Sequence, residues 1–211
     1  MTQHFKYSYE THPQYQRALP IWRLCDDART PMAVKNANVL YLPLPDSSKE
    51  NGGVKDERYQ AYLNRATYYG FTQETIGGLL GLAFRQGVTF DSDSSLDYAE
   101  TNVDGDGVGI EQQAKAAMSD LITYGRAGLF VDFPPTDGPV SRAEQERLKL
   151  SATINLYDAF SVADWATTRI GSSSVLSMVK LIEVQYVAGE SGTEAEEVER
   201  LLYLDENGLY A

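Results

Sequence analysis

The stretch 104–134, DGDGVGIEQQAKAAMSDLITYGRAGLFVDFP, decides the fold. It opens on a tight acidic glycine loop that begins upstream at Asn102, and it then places Ala114, Met118, Leu121 and Ile122 at three- and four-residue steps. That spacing predicts an amphipathic helix over 110–124 with those four residues on its apolar face. Gly125 follows the last periodic residue, where helices commonly end on a left-handed glycine. Leu129-Phe130-Val131 then reads as a buried strand closed by Asp132-Phe133-Pro134-Pro135.

Upstream the pattern is helical. His12-Pro13 starts a helix, with Pro13 tolerated in the first turn and Tyr15, Leu19 and Trp22 forming an apolar stripe. Pro20 is expected to kink or shorten it. Asp56 is a candidate cap for a second helix carrying Tyr59, Tyr62, Leu63, Ala66 and Tyr69 on one face, continued by Ile76, Leu79, Leu80 and Ala83. Unbroken to Phe84 it would be roughly 45 Å long at 1.5 Å per residue. Gly70, Gly77, Gly78 and Gly81 lie inside it, each costing roughly 1 kcal/mol against alanine. A break is therefore expected near Gly70-Phe71-Thr72, and the glycines would let another backbone approach closely. Gly87–Phe90 reads as a short strand and Asp91–Ser95 as a turn.

Downstream the character changes to strand. Residues 136–150 read as a surface excursion with a short helix, followed by strand patterns at 152–160, 175–187 and 198–205. Lys180, Glu183 and Gln185 are expected on one solvated face, and 189–197 as an acidic hairpin tip. The class is α+β, with N-terminal helices, one of them long, packed with a mainly antiparallel sheet. The chain divides into an N-terminal helical segment (1–42), a flexible loop (43–56), a helix-rich region with short strands (57–135), the excursion (136–150) and an antiparallel β region (151–211). Asp205-Glu206-Asn207-Gly208 is a strong hairpin turn. Only Leu209, Tyr210 and Ala211 follow it, against about five residues in an ordinary strand, so the parent chain is expected to continue.

Composition narrows the function classes. The 211 residues carry a formal charge of −12 and a pI of about 4.6, which disfavours a broad electrostatic grip on nucleic acid. Cys25 is the single cysteine, so no intrachain disulfide is possible. The polar start lacks the apolar core of a signal peptide, and the run Ile76–Phe84 is far shorter than a membrane span. A soluble protein made in a cytosol is expected.

Motifs for chemistry are sparse. Asn102, Asp104 and Asp106 alternate, and Gly107 stands where a calcium loop needs its turn glycine. The bidentate glutamate of such a loop would fall at Gln113, however, and its central apolar residue at Gly109. The simpler reading is negative charge before a helix N-terminus, which the helix dipole favours; a calcium-dependent binding module stands as the alternative. Gly77-Gly78-Leu79-Leu80-Gly81 lacks the lysine and the preceding strand of a phosphate loop. Asp26 and Asp27 disfavour a thiolate at Cys25. With no nucleophile elbow and no marked acid–base pair, neither catalysis nor a cofactor is expected. Trp165 reads as a core anchor or an interface aromatic, and Arg126 as an anion binder, a salt-bridge partner or a carbonyl cap.

Taken in order, four segments resemble a portal-like family of tailed-bacteriophage proteins. They are HPQYQRALPIWRLCDDA (12–28), YLPLP with RYQAYLNRATYYGFTQETIGGLLGLAFRQ (41–45 and 58–86), the stretch 104–134, and LYDAFSVADW (156–165) with LLYLDENGLY (201–210). The third carries most weight, with its acidic glycine loop through Gly107, a Gly125-Arg126-Ala127-Gly128 corner and a strand ending Asp132-Phe133-Pro134. The resemblance implies a non-enzymatic subunit of a ring, typically dodecameric, at one capsid vertex of the virion. Its implied partners are further copies of itself, the terminase, the major capsid protein and a head-tail adaptor. DNA would pass through the ring without specific binding, and neither cofactor nor membrane is implied. This segment would be the wing region, with stem and clip further along the chain. Another head-tail connector protein is the structural alternative.

Overall fold

The computed structural model describes residues 11–44, 57–134, 136, 138–189, 192–205 and 208. The loop expected beyond residue 44, the cap at Asp56, and most of the terminal turn with Asn207 lie outside them. The fold is α+β, with most of its helices first, two antiparallel sheets after them and one short helix between the first two strands. Two compact units make it up. One comprises Met1–Leu19 with Val88–Ala211, and the other Pro20–Gly87.

The second unit is helical. Helix α1 (Pro13–Arg29) runs on through Pro20 rather than ending there, at the cost of one backbone donor. Short α2 (Pro31–Asn36) follows, then α3 (Glu57–Arg65) and α4 (Phe71–Ala83). The helical pattern over 57–84 is two helices, with the break expected near Gly70 falling between Arg65 and Phe71; the Gly70 carbonyl restarts the ladder by accepting from Glu74 N (3.1 Å). Trp22, Val34, Tyr59, Leu63 and Ile76 are buried. Tyrosine hydroxyls tie the elements: Tyr59 donates to Leu42 O (2.7 Å), Tyr68 to Ala28 O (3.0 Å) and Tyr41 to Asp27 Oδ2 (2.6 Å). Burial raises the Tyr59 pKa, and the bond to a carboxylate raises that of Tyr41.

The first unit holds α5 (Ile110–Tyr124), β1 (Gly128–Asp132), α6 (Arg142–Leu148), β2 (Thr153–Tyr157), β3 (Val162–Ile170), β4 (Ser173–Gly189) and β5 (Gly192–Tyr203). β1 pairs with β2, and β3-β4-β5 form the second sheet. Helix α5 has its expected bounds, and Gly125 caps it at φ 72°. Gly87–Phe90 is not a strand; it finds no ladder partner, and Gly87 instead turns at φ 75°. β3 is a full strand of its own, and residues expected in an acidic tip, Gly192 to Glu197, are paired strand opposite Val184–Gly189.

Cross-strand register decides the faces. Lys180 and Glu183, an odd number of residues apart on β4, fall on opposite faces rather than on one solvated face. Both are largely buried and paired, Lys180 with Glu199 (3.7 Å) and Glu183 with Arg200 (3.0 Å). The core of this unit lies between the sheets, where Tyr157, Leu181 and Leu202 pack with Phe130, Val162 and Val179.

Candidate functional site

The sheet pair leaves an open apolar groove of about 620 Å³ on the first unit, lined among others by Gly128, Phe130, Tyr157, Trp165, Leu176 and Leu181. Arg126 is the one charged residue of its lining. Gly125 permits the sharp exit from α5 that puts Arg126 at this edge. Gly128 sits so close to the neighbouring strands that a Cβ there would lie 3.2 Å from Val162 Cγ2 and 3.4 Å from Tyr157 Cβ. The Gly-Arg-x-Gly corner therefore needs glycine twice for different reasons, a left-handed turn at Gly125 (φ 72°) and close packing at Gly128.

Trp165 is the platform of the rim. The Arg126 guanidinium carbon lies 4.4 Å from its ring centroid, a cation–π contact of about 0.5–2 kcal/mol. The imidazole of His12 stacks on the same indole, centroids 3.9 Å apart and 18° from parallel. Arg126 also donates from Nη2 to the Val162 carbonyl. Of the roles open to Arg126, carbonyl capping is the one observed, although the carbonyl belongs to β3 and not to α5. Burial lowers the Arg126 pKa. His12 is fixed from its backbone as well, its N–H donating to Ala163 O (3.0 Å).

Behind the groove a polar latch joins both sheets. Arg200 on β5 reaches Asp132 on β1 (Nη1–Oδ2 2.9 Å) and Glu183 on β4 (Nε–Oε1 3.0 Å). The Tyr157 hydroxyl on β2 donates to the same Glu183 oxygen at 2.6 Å. Burial, then the bond to Glu183, raises the Tyr157 pKa well above its ordinary value. Arg200 is raised on balance, since burial pulls it down while Asp132 and Glu183 hold it charged. Asp132 was legible as the end of a strand, but its partners at 157, 183 and 200 carry no sequence signal.

The acidic loop spends its oxygens on itself. Asn102 Oδ1 accepts from Gly107 N (2.8 Å), and Asp104 Oδ1 accepts from Asp106 N (2.9 Å) and Val108 N (3.0 Å). Gly105 and Gly107 take φ of 92° and 94°, values that glycine adopts without strain. Among the described residues no group of three or more His, Cys, Asp or Glu side chains converges as a metal site. The loop lies apart from the groove lining, as does Pro134, so the sequence-marked residues do not form one site.

Helix α5 is turned against expectation. Its buried residue is Gln113, which donates from Nε2 to Ile154 O on β2, while Met118, Leu121 and Ile122 are exposed. An amide partner for the β2 backbone took the inward place, and the apolar stripe faces out. No family model matches this chain, and no curated protein matches it.

Proposed function

We propose that this chain is a structural subunit of a tailed-phage portal ring, contributing its wing region to the conduit through which DNA is packaged and ejected. The reading is carried by the ordered resemblance centred on Asp104–Pro134. What supports it physically is that several residues in and beside that run have a scaffolding task. Asp104 and Asn102 close the loop, Gly125 ends α5, Gly128 admits neighbouring strands, Arg126 rests on Trp165, and Asp132 anchors the latch. Residues spent in this way build a rigid, well-tied body.

Charge fits a conduit. At −12 per chain, a ring of copies repels phosphate, and DNA slides past instead of adhering. Native mass spectrometry of the full-length protein tests the reading. Closed assemblies of about twelve copies are expected, and a strictly monomeric protein at every concentration would refute it. Tight, salt-sensitive binding of duplex DNA by such an assembly would refute the sliding role of the charge.

A further inference from the structure

We propose that the free edge of β1 docks one extended peptide segment of a partner protein. The segment adds antiparallel as a third strand, with apolar residues at alternate positions and a carboxylate beside Arg126. The inference goes beyond the ring reading and stands without it. Its observations all lie within the first unit.

The edge is open. On β2, Ile154 turns its N–H and its carbonyl away from β1, to Val103 O (2.8 Å) and to Gln113 Nε2. Residues opposite one another in an antiparallel ladder turn outward together. Val131, opposite Ile154, and Leu129, opposite Leu156, therefore direct their N–H and C=O groups to the far side of β1. Among the described residues no hydrogen bond reaches these groups. The side chains of Leu129 and Val131 are 61% and 63% exposed. Outward donors and acceptors on an apolar strand are a template for another backbone.

The floor beside that edge is apolar. β1 lies across the rung Val162–Leu181–Arg200 of the three-stranded sheet, since Gly128 packs on Val162 and Asp132 binds Arg200. β2 lies to one side, where Tyr157 reaches Glu183. On the other side the rung Trp165–Val179–Leu202 lines the groove together with Leu176, which is 41% exposed. A strand set about 4.8 Å from β1 would lie over that rung and turn alternate side chains down onto it.

Chemistry selects the occupant. Outward N–H and C=O groups pair with a backbone, which a small amphiphile lacks. A second β1 does not fit, because the three-stranded sheet beneath it would need the space that Trp165, Val179 and Leu176 fill. Arg126 is the one charged residue of the groove lining, and it precedes the start of β1. A guanidinium carries further donors beyond the one given to the Val162 carbonyl. A carboxylate near the C-terminal end of an antiparallel segment therefore meets Arg126.

Trp165 fluorescence of the chain on a Trp22→Phe background tests the docking, with the capped peptide Lys-Thr-Val-Thr-Val-Thr-Glu as probe. Its valines and glutamate share the inward face, and its threonine amides face β1. Saturable binding is expected, about tenfold weaker when the glutamate is replaced by lysine and abolished when the threonine amides are N-methylated. Val131→Pro removes one outward N–H, a loss that an edge strand tolerates, and should abolish binding with the far-UV spectrum unchanged. No binding of the parent peptide overturns the proposal, as does equal binding of the lysine peptide. Equal binding of the N-methylated peptide overturns it as well and gives the groove to side chains or a small amphiphile. A dimer of the chain that Val131→Pro dissociates would give the edge to a second copy and overturn it too. Should Val131→Pro fail to fold, the methylated peptide decides the question.

Discussion

Replacing Arg200 by methionine removes the one cation that serves both Asp132 and Glu183. The stem of methionine keeps the packing, so the loss is electrostatic. Deleting one partner of a buried ion pair costs about 3–5 kcal/mol. Here the Asp132 side chain is 39% exposed and the Glu183 side chain 17%. The Asp132 contact is screened by water and contributes little; most of the loss falls on Glu183, which keeps only the Tyr157 hydroxyl. The sum is about 2 kcal/mol, a discounted value from the same buried-pair range. Urea unfolding followed by Trp165 fluorescence on a Trp22→Phe background reads this unit alone. The midpoint should fall with the slope unchanged, and Tm should drop by roughly 4–8 °C. Adding Glu183→Gln to Arg200→Met should restore part of the loss. A change below about 0.5 kcal/mol, within ordinary surface variation, would refute the latch as a tie between sheets.

Other substitutions probe other links. Gly109→Ala drives a Cβ into the Glu100 carbonyl and should destabilise the unit by about 1–3 kcal/mol, measured by the same unfolding. Gly77→Ala meets nothing and should raise the stability of α4 by about 0.5–1 kcal/mol, seen by hydrogen exchange of its amides. Asp104→Ala strips the acceptor from two amides and should cost about 1 kcal/mol, with faster exchange at Val108. Tyr157 gives a pH signature. Its pKa is raised in the folded state, so its contribution is complete below about pH 10 and is lost as pH rises further, because the unfolded tyrosine ionises first. Tyr157→Phe should flatten that alkaline loss in the Trp165 signal.

Local signals were legible where the chain dictates its own geometry. A glycine loop before and a left-handed glycine after gave α5 its bounds, and Gly70 marked where the helical pattern divides, while Gly77, Gly78 and Gly81 stay inside α4. Orientation was not legible. The apolar stripe of α5 was read as inward, but a single amide, Gln113, satisfied the Ile154 carbonyl and turned the helix over. Lys180 and Glu183 looked solvated because charge was weighed without register, and each proved to have a counter-ion across the sheet. The rim of the groove was hidden for a different reason. His12, Arg126 and Trp165 meet across long sequence separations, and no periodicity encodes such a stack. At Tyr41, Tyr59, Tyr68, Tyr98 and Tyr157 the hydroxyl ties separate segments, a use that no local pattern announces.

Negative-stain electron microscopy of the full-length protein, with the stem and clip that the portal reading places further along the chain, puts the ring to the most direct test. Closed rings with a central pore, at one dominant copy number, are the predicted images. A uniform field of single particles the size of one chain would contradict the portal reading outright.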